Sequence, residues 1–114
     1  MRIILDGMGG DHAPASVVEG AILAMKEMEH EIVIVGQQEL IEAELKKHKY
    51  DRSRLSVADA REVITNDEAP VRAVRTKKDS SIVRGINMVK DGEGDIFISA
   101  GSTGALLCGG LFIL

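Results

Sequence analysis

Aromatic side chains are nearly absent from this sequence, which has two Phe, one Tyr and no Trp among 114 residues. Surfaces that stack unpaired bases interleave aromatic with basic residues. With a formal net charge of −4 as well, nucleic acid is not an expected partner. The single cysteine, Cys108, excludes an internal disulfide framework and a cysteine-rich zinc site. It lies in an apolar stretch and reads as a small core residue. His12, His30 and His48 are scattered without ligand spacing, so no metal centre is expected, and nothing calls for a cofactor. Apolar runs fall short of the roughly 20 residues needed to cross a bilayer. Met1 leads straight into Arg2 and a short apolar run, with no secretory leader pattern. The cytoplasm is therefore the expected compartment.

What is present is an ordinary balance, 45% hydrophobic and 28% charged, with room for one small domain and its core. Continuous apolar runs at 2–6 and 31–36, and a weaker one at 54–58, read as strands of a buried parallel sheet. Between the first two, Pro14 opens a helix whose Val17, Val18, Ala21, Ile22, Met25 and Met28 follow the helical period. A second helix is expected over 37–48, with Leu40, Ile41 and Leu45 on one face and Glu42 paired to Lys46 on the surface. Periodicity is poor over 59–78; 65–68 is turn-like, and Pro70 begins a short helix through Val71 and Val74. Asp79-Ser80-Ser81 is a helix-start signal, followed by an apolar face of Ile82, Val83, Ile86 and Val89.

The chain is organised around 94–110, GDIFISAGSTGALLCGG. Residues 95–99 lack polar alternation and predict a strand buried on both faces. A small-residue turn, 100–104, follows at once, and 105–114 reads as a buried helix capped by Ser102 or Thr103. Strand, glycine turn and capped helix aim free N–H groups and a positive helix end at one place, which suits an anion such as phosphate. The turn lacks the lysine of a P-loop and the spacing of a dinucleotide fingerprint. It also approaches a serine nucleophile elbow, with Ala100 where the first glycine belongs, but no triad partner is identifiable. A capping or ligand-binding hydroxyl is the preferred reading of Ser102.

The alternation of strands and helices predicts an α/β fold, a mostly parallel sheet with helices on both faces, Rossmann-like in layout. Ligands of such sheets gather at the carboxyl ends of the strands. The loop 6–12, with Asp6, Gly9, Gly10, Asp11 and His12, and the loop 99–104 both follow strands, so both fall on that edge. The only basic cluster, Arg72, Arg75, Lys77 and Lys78, directly precedes a helix start. The sequence stops inside an apolar segment, 111–114, without a helix stop signal. The expectation is that 1–114 is the N-terminal part of a single α/β domain.

LDGMGGDHAP, EAPVRAVRTKKDSS and ISAGSTGALL, in this order and spacing, resemble the bacterial phosphate acyltransferases of phospholipid synthesis. The resemblance covers essentially the whole chain. It implies a fold like the isocitrate and isopropylmalate dehydrogenases and phosphotransacetylase. It implies transfer of a fatty acyl group from acyl carrier protein to inorganic phosphate, giving an acyl phosphate. It further implies a homodimer, attached peripherally to the cytoplasmic membrane through helices outside these residues. Two positions depart from the family pattern: Gly7 stands where alanine is expected, and Ser102 where asparagine is expected. Asparagine could not act as the nucleophile, so the swap counts against that role for Ser102, while a short cap survives.

On this resemblance the expected catalytic residues are Lys78, Asp11 and His12. The substrate-binding set is Asp6, Gly9, Gly10, Ser80, Ser81, Gly101, Ser102, Thr103 and Gly104. Phosphate is already a nucleophile, so the site has to bind it, align it with a thioester carbonyl and stabilise the developing oxyanion. Lys78 and the N–H groups after Gly101 are the expected phosphate ligands, and Asp6 or Asp11 orients a loop or a basic side chain. Acyl transfer involving coenzyme A, as in phosphotransacetylase, is the alternative chemistry. A nicotinamide-dependent dehydrogenase and a non-catalytic phosphate-binding module stand behind it.

Overall fold

A computed structural model describes residues 1–114. Its strands are β1 (Arg2–Asp6), β2 (Glu31–Gly36), β3 (Leu55–Asp59) and β4 (Ile96–Ile98), all paired in parallel in the order β3-β2-β1-β4. The helices are α1 (Ala15–Glu27), α2 (Gln38–Leu45), α3 (Pro70–Thr76), α4 (Ser81–Lys90) and α5 (Thr103–Phe112). The expected α/β class and parallel sheet are therefore present.

Strand side chains alternate between faces, and the apolar runs of β1 and β2 supply both. Ile32 and Ile34 pack with Val18, Ile22 and Met25 of α1 and with Ile41 and Leu45 of α2. Ile4, Val33 and Val35 face the other way, against Met88 and Val89 of α4. A third cluster joins α3, α4 and α5 through Val74, Ile82, Ile86 and Ala105. Burying one such aliphatic side chain is worth about 1.5–3 kcal/mol, which is why these runs become central strands. No helix is long and apolar enough to cross a membrane.

Several expectations fail at the edges. The strand expected to be buried on both faces is an edge strand of only three residues, with Ile96 43% and Ile98 48% exposed. Its residues are apolar, but no strand lies beyond it to complete their burial. The helix expected to be buried, α5, encloses Ala105 and Gly109 while Leu107, Leu111 and Phe112 are exposed. In α2 the buried residues are Ile41 and Leu45; Leu40 is exposed, and Glu42 accepts a hydrogen bond from Gln38 Nε2 rather than pairing with Lys46. Pro14 occupies the cap position ahead of α1 rather than its first turn, and Val71 is exposed on α3 beside buried Ala73 and Val74.

Candidate functional site

The strand order positions the site. From β1 the chain moves outward through β2 and β3, then returns to lay β4 on the opposite side of β1. At such a reversal the loops leaving the two adjacent strands diverge to opposite sides of the sheet and leave a crevice at the carboxyl edge. Here those loops are Gly7–His12 after β1 and Ser99–Ser102 after β4.

The two loops meet at Asp6, the last residue of β1, which is only 3% exposed. Its Oδ1 accepts from Met8 N at 3.0 Å and its Oδ2 from Ser99 Oγ at 2.7 Å. Ser99 Oγ in turn accepts from Gly101 N at 3.0 Å. One carboxylate thus orders its own loop and, through Ser99, the loop from β4. A buried carboxylate is costly unless hydrogen-bonded, and both oxygens are engaged.

The approach of the loops leaves no room for a side chain at Gly9 and little at Gly101. A Cβ on Gly9 would lie 2.7 Å from Gly101 N and 2.7 Å from Asp6 Oδ2. One on Gly101 would lie 3.3 Å from Asp6 Oδ2, Gly9 Cα and Ser99 Oγ alike. Gly10 follows with φ +103°, a conformation that side chains disfavour.

Ser102 is the N-cap of α5: its Oγ accepts from Ala105 N at 3.2 Å, and the residue is buried. Of the two capping candidates, Ser102 is the one used. The N–H groups of Ser102, Thr103 and Gly104, and those of Gly9, Gly10, Asp11 and His12, have no acceptor within the protein. Gly101 N, by contrast, is committed to Ser99.

These loops form one side of a cleft of about 580 Å³ lined by Met8, Gly9, Gly10, Asp11, Ala100, Gly101 and Ser102. The opposite side is the segment Val63, Ile64, Thr65, Asn66 and Asp67, which follows β3 and so comes from the same sheet edge. It is held from behind. Lys77 Nζ donates to Val63 O at 2.9 Å and pairs with Glu68 Oε1 at 2.7 Å, while Glu68 Oε2 accepts from Thr65 N at 2.8 Å. The Lys77 ammonium, then the Thr65 N–H, hold the Glu68 carboxyl below its ordinary pKa. Sequence reasoning treated 65–68 only as a turn. The available signal was its place after a third strand of the same parallel sheet.

The remaining candidates are dispersed. Ser80 is fully buried as the N-cap of α4, accepting from Val83 N at 3.2 Å, and Ser81 N donates to Glu62 O. Both lie outside the lining of the cleft, as do Asp6, His12, Thr103 and Gly104. Gly104 packs against Pro70 of α3, Thr103 and His12 are exposed, and His12 O accepts from Ser16 N at the start of α1. Lys78 is exposed, makes no hydrogen bond or ion pair within the chain, and is not among the lining residues. The lining contains Asp11 and Asp67 but no lysine or arginine. What positive potential the cleft has comes from free N–H groups and the α5 N-terminus.

All of residues 1–114 match the family model described as fatty acid synthesis protein. The chain belongs to that family. It is 56% identical over 114 residues to a protein named phosphate acyltransferase from Clostridium kluyveri, and 50% identical over 114 residues to one of the same name from Clostridioides difficile (strain 630). A phosphate acyltransferase from Alkaliphilus oremlandii is likewise 50% identical over 114 residues. Each alignment takes in 100% of this chain and 34% of the relative, so the chain spans about a third of the length of these curated relatives.

Proposed function

We propose that this chain provides the phosphate-binding part of an acyltransferase that moves a fatty acyl group from acyl carrier protein to inorganic phosphate. The observation that carries the reading is the meeting of two glycine loops at the β1–β4 reversal, with unpaired N–H groups beside a cleft. Relatives named phosphate acyltransferase support the choice of phosphate as the anion and an acyl group as its partner.

In this reading a phosphate oxygen attacks the thioester carbonyl carbon. The C–O bond forms, the carbonyl becomes a tetrahedral oxyanion, and collapse breaks the C–S bond to release acyl phosphate and the carrier's thiolate. Oriented N–H donors act on the entering anion and on the charge that develops. Ser102, Thr103, Gly104, Gly9 and Gly10 present such donors. Asp11 on the cleft wall, its neighbour His12, and Lys78 are the side chains proposed to act on the reacting groups. Asp11 and Asp67 repel phosphate, so a cation is needed to offset them, and Lys78 has no partner of its own to give up. Ser80 and Ser81 support the site by anchoring α4. A homodimer working at the cytoplasmic face of the membrane completes the proposal.

The test is release of carrier-protein thiol from acyl carrier protein, measured with and without added phosphate. Phosphate-dependent release with an acyl phosphate product is the expected result. Release only from acyl-coenzyme A would replace the carrier protein in the reading. Phosphate binding without turnover would reduce it to a binding module.

A further inference from the structure

We infer that Ser99 is a positioning residue: its hydroxyl passes the pull of the buried Asp6 carboxylate to the Gly101 amide and so sets the spacing of the two anion-facing loops. This rests on the phosphate reading above. Asp6 Oδ2 accepts a hydrogen bond from Ser99 Oγ at 2.7 Å, and Ser99 Oγ accepts one from Gly101 N at 3.0 Å. Polarised by a carboxylate on one side, the hydroxyl oxygen is a stronger acceptor on the other. Ser99 is the last residue before the turn, and Asp6 is the last residue of the neighbouring strand. The contact therefore spans 93 residues of sequence at the point where the loops part.

The geometry around this link is tight enough for its loss to be felt. Gly9 and Gly101 approach so closely that neither tolerates a Cβ without movement. No ion pair holds Asp6; it is fixed by Met8 N and Ser99 Oγ. Without the hydroxyl, Gly101 N–H and one Asp6 oxygen lose their partners together. The 100–102 segment would then be free to rotate, carrying the Ser102 and Thr103 donors with it. The consequence expected is weaker phosphate capture with the chemical groups still in place.

The experiment uses the full-length protein carrying these residues, with Ser99→Ala, Ser99→Thr and Asp6→Asn. The amide introduced by Asp6→Asn would still accept from Met8 N but would present an N–H to Ser99, leaving the hydroxyl proton without an acceptor. Ser99→Ala and Asp6→Asn should raise the KM for phosphate about tenfold, with kcat changed less than about threefold. Ser99→Thr should restore the KM. Amide hydrogen exchange gives a readout independent of turnover: Gly101 should exchange faster in Ser99→Ala and return toward the parent rate in Ser99→Thr. If Ser99→Ala leaves both the phosphate KM and Gly101 exchange unchanged, the positioning role is wrong. It is equally wrong if Ser99→Thr behaves like Ser99→Ala, because the hydroxyl is then immaterial. Should the parent protein show no phosphate-dependent turnover while Gly101 exchange responds as stated, the functional reading falls and the Asp6–Ser99–Gly101 link stands.

Discussion

Replacing Gly9 with alanine tests the site's architecture with a single methyl group. That methyl would sit 2.7 Å from Gly101 N and 3.0 Å from Gly101 Cα, both backbone atoms, and 2.7 Å from Asp6 Oδ2. Carbon contacts relax at about 3.5–4.0 Å, so the loops must separate by roughly an ångström. A flexible side chain could swing aside, but here two of the three nearest atoms belong to the backbone of a turn. Overpacking of this kind costs about 1–3 kcal/mol, and the backbone contacts place Gly9→Ala in the upper half of that range. The separation would also stretch the 2.7 Å bond between Ser99 and Asp6.

The assay is urea unfolding paired with phosphate-dependent turnover. The midpoint should fall at unchanged slope, and the KM for phosphate should rise. Gly20→Ala is the internal control. Gly20 lies in α1 with nothing within 4 Å of its Cβ position. A mid-helix glycine is less favourable than alanine by roughly 0.5–1 kcal/mol, so this variant should gain about that much. If Gly9→Ala is as stable and as active as the parent, the loops do not meet as described and the reasoning fails.

Ser102→Ala removes the α5 cap and should cost about 1 kcal/mol of stability. Ser102→Asn should recover both stability and turnover, and a dead Asn variant would revive the nucleophile reading. Lys78→Ala should raise the phosphate KM on the order of 10- to 100-fold, the worth of a charge-assisted hydrogen bond. Arg72→Ala should change it far less, and weakened carrier-protein binding with unchanged phosphate dependence would make Lys78 a docking residue instead. Lys77→Ala should lower stability at neutral pH by releasing Glu68 and the 63–67 wall of the cleft. Glu68 is held below its ordinary value of 4.5, mainly by Lys77. The stability it contributes is therefore present above that value and lost as pH falls through the lower folded pKa. The gap between the urea midpoints of parent and Lys77→Ala should narrow as pH falls below about 4.5, leaving the part owed to the Lys77–Val63 hydrogen bond; a gap that does not narrow down to about pH 3 would argue against the ion pair.

The layered arrangement is legible from local pattern alone. Runs such as IILD and IVIV are too short and too uniformly apolar for amphipathic helices, and helical spacing in Val18, Ile22 and Met25 leaves no other periodicity. A start of α4 within 79–81 and a cap of α5 at Ser102 or Thr103 are legible because capping is a local matter of side chain and nearby N–H; the structure selects Ser80 and Ser102. The glycine loops were legible for a similar reason, since their carboxyl-edge position follows from lying directly after strands. Which strands are neighbours, and with that the site, is set by long-range packing. Nothing in 95–99 states that it pairs with β1, or that its outer edge is open with Ile96 and Ile98 nearly half exposed. The Asp6–Ser99 bond, the facing of Gly9 and Gly101, and the 63–67 wall all depend on that pairing order. Such contacts join residues far apart in the chain, where composition and local period carry no information. The same limit explains Lys77 and Lys78: adjacent and alike in sequence, they are separated only by the backbone turn after α3, which gives one a backbone carbonyl and a carboxylate and leaves the other exposed.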